Sequence, residues 1–225
     1  MTALDWQAVS LTLKLGLYST LILLLLATPL AWWLARSRWR FRFLVEAMVA
    51  LPLVLPPTVL GFYLLLLLGP SGPFGQVAQW LGGYSLAFTF TGLVIGSVIA
   101  SLPFMVQPLR NAFAAIETEV LEVAETLGAS RLERFWRIAL PLARPGYLVG
   151  AIMSFAHTMG EFGVVLMIGG NIPGQTKVLS IAIYDFVERL EWDKAHVLAG
   201  GMVLFGFVTI FSTLVLGQRR ENRPH

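Results

Sequence analysis

Two side chains in a largely apolar stretch have the types and the spacing for chemistry. His157 and Glu161 stand four residues apart, which puts them on one face of a helix. An imidazole beside a carboxylate can act as acid and base, and an ionisable group inside an apolar span is costly enough to mark function by default. Glu161 is the only carboxylate inside such a span. The pair offers two possible metal ligands and spacing suggests no third, so no metal site is expected. An ionised Glu161 would repel anions and could instead be a structural or gating group. Four readings follow: satisfied polar packing, part of a gate, an intramembrane acid and base pair, or a proton-driven transport step. The third predicts activity in the isolated chain, and the fourth predicts arrest when a proton gradient is collapsed.

The elements that must hold this pair are membrane helices. Of 225 residues, 56% are hydrophobic and 13% charged, far from the balance of a soluble domain. Cysteine is absent, so disulfides and thiolate metal sites are excluded. The net charge of +3 comes from arginines clustered beside apolar runs, a pattern that reports membrane orientation and argues against a nucleic-acid partner. Leu15 to Leu34 is an uncharged run of twenty residues, about 30 Å as a helix and enough to cross a bilayer core. Met1 to Leu13 lacks a basic region, so this first span is expected to be retained.

Span two runs from Ala47 to Leu68, where Pro52, Pro56 and Pro57 should break or kink it. A short interfacial helix is expected over Phe74 to Leu81. Span three is Leu86 to Leu109, with Gly92, Gly96 and Ala100 four apart. Span four is Gly146 to about Gly170, with Gly146, Gly150 and Ser154 likewise spaced for close helix approach. An outer segment with an interfacial helix near Val178 to Leu190 leads to span five, Val197 to Leu216. The fold class is therefore an all-α polytopic membrane bundle. It has five transmembrane helices in one domain over 1–225, with a core of about 11–216. Arg36 to Arg42, Arg110, Arg131, Arg134, Arg137, Arg144, Arg219, Arg220 and Arg223 then fall inside, against Lys14, Lys177, Arg189 and Lys194 outside. That puts the N-terminus outside and the C-terminus in the cytoplasm.

Between spans three and four lies a polar island, Glu117 to Pro141. Thr118 can cap a first helix that Gly128 ends, Ser130 to Glu133 is a capping box for a second, and Pro141 should stop it. Val120, Ala124 and Leu127 share one face of the first helix. Leu132, Phe135, Trp136 and Ala139 share one face of the second.

Glu122, Val123, Ala124, Gly128, Ile138, Leu140 and Pro141 fall at the spacing of the EAA motif, and the island resembles that element in the membrane subunits of ABC importers. Val123 stands where the family usually has Ala. The proline-rich run Leu51 to Gly61 and the run Gly160 to Thr176 are similar to the molybdate permease subunits of those importers, and the resemblance covers about Trp6 to Leu216. It implies a coupling segment, 117–141, seated in a cytoplasmic ATPase subunit. It also implies a second copy of this chain, an ATPase dimer, a periplasmic molybdate-binding protein and a lipid setting in the bacterial inner membrane. Tungstate or sulfate are alternative cargoes. Some relatives carry a further N-terminal span, not expected here. No G-x-x-x-x-G-K-[ST] phosphate loop occurs, so ATP and Mg are expected on a separate ATPase, with no cofactor in this chain and no catalysis by it.

For the pathway, the second span broken at Pro57 offers freed helix amides over Thr58 to Gly61 as an anion surface, or is a plain kink. Thr158, Gly160, Gly163 and Asn171, with Glu161, could line a passage or simply allow helices to pack closely.

Overall fold

The structure, a computed structural model, describes residues 3–81, 83 and 85–221. Arg223 lies outside them. Every regular element among the described residues is helical, in the order α1 (Ala3–Arg36), α2 (Arg42–Val54), α3 (Pro57–Leu68), α4 (Pro73–Trp80), α5 (Phe90–Ala114), α6 (Thr118–Thr126) and α7 (Arg131–Arg134). A π-helical turn follows at Phe135–Ala139, then α8 (Leu140–Leu142), α9 (Arg144–Gly160), α10 (Gly163–Gly169), α11 (Leu179–Glu188) and α12 (Trp192–Glu221). Among the described residues four stretches are long and apolar enough to cross a membrane. A fifth is reached if 131–142 and 144–160, bent by 66°, count as one span. The molecule is an all-α membrane bundle.

α5 is the axis of the bundle, packed along α1 on one side and α9 on the other. Thr89 caps it, accepting from the Gly92 amide at 3.1 Å. The small residues expected to bring helices together do so. A Cβ on Gly146 would stand 2.5 Å from Ala112 Cβ, and one on Gly150 would stand 2.9 Å from Met105 Sδ. The main core lies at one end and includes Leu34, Met105, Leu109, Phe113, Ala139 and Ala143. There Arg36 donates to the carbonyls of Phe113 at 3.0 Å and Ile116 at 2.7 Å, supplying donors to the carbonyl end of α5.

Three expectations need correction. Pro52 does not break span two, for it sits inside α2. The break is at Leu55 and Pro56, where Pro56 has extended ψ and Pro57 takes the first helical position, the one place its missing N–H costs nothing. Span four is not continuous to Gly170, because the helix stops at Gly160 and restarts at Gly163. Pro141 does not stop a helix. The π turn before it lets the Leu140 amide reach back five residues to Phe135, and the chain stays helical to Leu142 before bending at Ala143.

The close α5–α9 approach makes a stability prediction. Gly146→Val should destabilise the solubilised protein by about 1–3 kcal/mol through overpacking. Gly206→Ala, where a Cβ meets nothing within 4 Å, should cost less than about 0.5 kcal/mol. Thermal denaturation of both variants in the same detergent checks the pair.

Candidate functional site

Two regions concentrate the residues singled out above. The first is where the breaks of α2–α3 and α9–α10 meet. Gly163, the first residue of α10, lies so close to α3 that a Cβ there would stand 2.7 Å from Pro57 Cβ and 3.2 Å from the Thr58 nitrogen. One turn on, a Cβ on Gly61 would stand 2.7 Å from Met167 Cβ. The two short helices are thus packed backbone to backbone, which only glycine at both positions permits. Beside this contact is a cleft of about 520 Å³ lined by Pro57, Thr58, His157, Gly160, Glu161 and Gly163, among others.

The structure turns Glu161 into a structural pivot. Only 7% exposed, its carboxylate accepts from the Val164 amide at 3.2 Å, satisfying one of the orphan donors that open α10. Its backbone carbonyl, freed by the break, accepts from the Ser180 hydroxyl at 2.7 Å, which ties in α11. His157 lies at the cleft with Nε2 3.7 Å from Glu161 Oε2, close enough for electrostatic influence and too far for a hydrogen bond. Its Nδ1 is 3.0 Å from Ser101 Oγ, which also meets Thr158 Oγ1 at 2.9 Å, and its ring stacks on Phe104 at 4.1 Å. Thr158 is therefore buried against α5 and does not line the cleft, and Gly61 is buried against α10. At the start of α3 the Val59 and Leu60 amides both donate to the Pro56 carbonyl, at 2.9 and 3.1 Å. The amide surface expected over Thr58 to Gly61 narrows accordingly to the Thr58 N–H. Asn171 is exposed, in the loop after α10.

Ser101 and Phe104 were not singled out in the sequence. A polar residue one helical turn from an aromatic, on the same α5 that carries the glycine stripe, was the available signal. The break at Glu161 also left a trace, since Gly160 and Gly163 bracket a carboxylate in an apolar run.

At the α11 end of the bundle, Thr12 Oγ1 accepts from the Leu179 amide at 2.8 Å, docking α11 on α1. In the same layer Asp185 is paired with Lys177, and with Arg189 at 3.0 Å. The Lys177 hydrogen bond is the main cause holding its carboxyl below the ordinary aspartate range. This contribution is present at neutral pH and is lost as pH falls through that lowered value.

The second region is the polar segment. Thr118 is the first residue of α6, and the cap position is Glu117 with no side-chain bond, so the expected Thr118 cap is not formed. The end of α6 is as expected. Gly128 has φ +87°, its amide donates to the Glu125 carbonyl at 2.9 Å and the Ala129 amide donates to the Ala124 carbonyl at 2.9 Å, which is a Schellman closure. The capping box of α7 is present too. The Glu133 amide donates to Ser130 Oγ at 3.3 Å, and the Ser130 amide donates to the Glu133 carboxylate at 3.0 Å. That backbone bond, then the Ser130 hydroxyl, hold the Glu133 carboxyl below its usual range. Arg134 clamps the two helices by a forked pair with Glu125, at 2.7 and 3.2 Å.

The inward faces differ from those expected. Leu121 and Ala124 are buried, while Val120, Val123 and Leu127 are 41%, 58% and 83% exposed. In the second helix the π turn splits the expected face, so Phe135 and Ala139 turn inward while Leu132 and Trp136 turn outward. Glu122 and Gly128 are exposed, Ile138, Leu140 and Pro141 half-buried.

Glu161→Ala should leave the Val164 amide without its acceptor and cost about 1–3 kcal/mol, whereas Glu161→Gln keeps a carbonyl oxygen there and should cost clearly less. Thermal unfolding of the two purified variants tests the pivot. Equal losses would show that the hydrogen bond is not what Glu161 contributes.

Residues 27–220 match the family described as the binding-protein-dependent transport system inner membrane component. The chain is 58% identical over 208 residues to the molybdenum transport system permease protein ModB of Azotobacter vinelandii, covering 92% of each chain. It is 36% identical to ModB of Escherichia coli K12, over 84% of this chain and 82% of that one. It is 32% identical to the sulfate transport system permease protein CysT of the same organism, over 86% and 70%. Among solved structures it matches a bacterial alginate ABC transporter in complex with an alginate pentasaccharide-bound periplasmic protein, with a TM-score of 0.77 at 18% identity over 100% of this chain and 82% of that one. The inward-facing MetNI methionine ABC transporter follows at a TM-score of 0.65, 18% identity, over 97% and 94%. The bundle described above is thus the ABC-importer membrane fold, and the chain belongs to the binding-protein-dependent transport system inner membrane component family, as a multi-pass transport subunit of the bacterial inner membrane.

Proposed function

We propose that this chain is the permease subunit of an ATP-driven importer that carries molybdate inward by alternating access. The observation that carries the reading is the 58% identity over 92% of both chains to a molybdenum permease. Two copies of the chain sit over a cytoplasmic ATPase dimer that holds ATP and Mg, and a periplasmic molybdate-binding protein delivers the anion. Segment 117–141 is the coupling segment. Its residues Glu122, Val123, Ala124, Gly128, Ile138, Leu140 and Pro141 carry the motif, and the stripe of exposed Val120, Val123, Leu127, Leu132 and Trp136 is the apolar area an ATPase cleft would cover.

The orientation is N-terminus periplasmic and C-terminus cytoplasmic, with five crossings in one domain over 1–225. Support comes from the separation of charge. Arg36, Arg110, Arg131 and Arg134 belong to the end of the bundle that holds the polar segment, whereas Lys177 and Arg189 belong to the α11 end. The pathway passes the cleft between the two broken helices, with Pro57, Thr58, Gly160, Glu161 and Gly163 at its wall and Gly61 and Thr158 fixing the helices behind it. Glu161 acts by holding the opening of α10. It offers no attraction to a dianion, so release inward is not slowed by a tight site, and selectivity belongs to the binding protein.

A sulfate permease is the second reading, favoured by 32% identity to CysT. Uptake of labelled molybdate into proteoliposomes containing this chain, its ATPase and its binding protein should require ATP and persist in excess sulfate, with tungstate as the sharper competitor. Uptake abolished by sulfate would move the cargo, and uptake without ATP would overturn the mechanism.

Gly128 tests the coupling surface separately. A side chain there meets open space, and its positive φ is tolerated by glycine alone without strain. Gly128→Trp should insert in the membrane normally but lose stimulation of ATP hydrolysis by loaded binding protein. Retained stimulation would contradict this docking surface.

A further inference from the structure

We infer that Phe135 is the positioning residue through which movement of segment 117–141 enters the membrane bundle, an inference that rests on the permease reading above. Three features make the segment a rigid lever. The Schellman closure at Gly128, the Ser130–Glu133 capping box and the Arg134–Glu125 fork fix α6 against α7. Its covalent link to α9 is a poor transmitter, because the helix axis turns by 66° at Ala143. A lever on a hinge needs a side-chain contact to pass its motion on.

The π turn supplies that contact. By adding a residue to the helical repeat, it sends Trp136 outward, 58% exposed, while its neighbour Phe135 points inward, the two rings 5.5 Å apart and nearly perpendicular. Phe135 meets Trp32 of α1 at 5.4 Å and Phe113 of α5 at 6.1 Å. Trp32 and Phe113 meet edge-on at 5.2 Å, and Phe113, fully buried, reaches Tyr147 of α9 at 6.1 Å. Arg36 locks the far side of this box, its guanidinium 5.5 Å from the Trp32 ring and bonded to the Phe113 and Ile116 carbonyls. One ring of the segment therefore bears on α1 and α5 directly and on α9 through Phe113. In a close-packed interior such rings pass displacement on, having no free volume in which to absorb it.

The test uses the full complex in proteoliposomes with Phe135→Ala, Phe135→Leu and Trp136→Ala. Phe135→Ala should copurify with the ATPase, yet the ratio of hydrolysis with loaded binding protein to hydrolysis without it should fall about tenfold, the scale of one lost coupling contact. Phe135→Leu, which fills more of the volume, should fall about threefold. ATP consumed per anion imported should rise in the same order, a readout that loss of folded protein would not change. Trp136→Ala should instead weaken ATPase copurification. Should Phe135→Ala fail to accumulate, Phe135→Leu decides alone. Assembled Phe135 variants with the wild-type ratio overturn the inference, as does a Phe135→Ala defect confined to ATPase copurification. A wild-type complex with no stimulation at all would instead sink the permease reading.

Discussion

A backbone broken inside an apolar slab must find its hydrogen bonds within the protein, since no water is there to supply them. Among the described residues, apolar helices break at Leu55–Pro56 and at Glu161–Phe162, and the arrangement around these breaks follows from that demand. Pro57 removes a donor where none is wanted, and the Pro56 carbonyl takes up two of the amides that follow. Glu161 meets the Val164 amide with its side chain and offers its own carbonyl to Ser180. The two restarts are then laid against one another through Gly61 and Gly163. An ionisable group in an apolar span thus has a structural reason to be there before any role in chemistry is considered, and the burial of Glu161 lends no support to an acid and base reading with His157.

The same architecture separates a closely packed frame from pieces joined to it by bends. Between α5 and α9 glycines bring the backbones close, and α1 is fixed at both ends, by Thr12 to α11 and by Arg36 to the end of α5. Against this frame the α3–α10 pair and segment 117–141 are units joined by bends, at Leu55, at Phe162 and at Ala143. Motion of rigid pieces about such bends is how packed helices switch between discrete states without unpacking a core.

Much of this was legible in the sequence because it is local. The Pro56–Pro57 break, the Gly128 stop and the Ser130 capping box are each dictated by a residue whose backbone or side chain permits little else. The spacing that resembles the EAA motif pointed to the family before any fold was known. What was not legible depends on partners distant in sequence. Gly160 and Gly163 look like another small-residue stripe until Pro57 is seen against Gly163, with open space beside Gly160. The rotation of α6, which buries Leu121 and leaves Val120 and Leu127 outside, is set by the core around Phe113. The π turn cannot be read from Pro141 alone, since proline ends most helices, and it exists here where Phe135 has an aromatic box to enter.

In the importer proposed for this chain, nucleotide binding at the ATPase moves the paired broken helices. The native chain has no cysteine, so a single label at Thr58→Cys is specific, and two copies give one distance across the pathway. Pulsed electron-spin distance measurement in the reconstituted complex, nucleotide-free and then trapped with ATP, reads that separation directly. The account predicts two distinct distance populations exchanged by nucleotide. One unchanged population in a complex that hydrolyses ATP and imports its anion would contradict it.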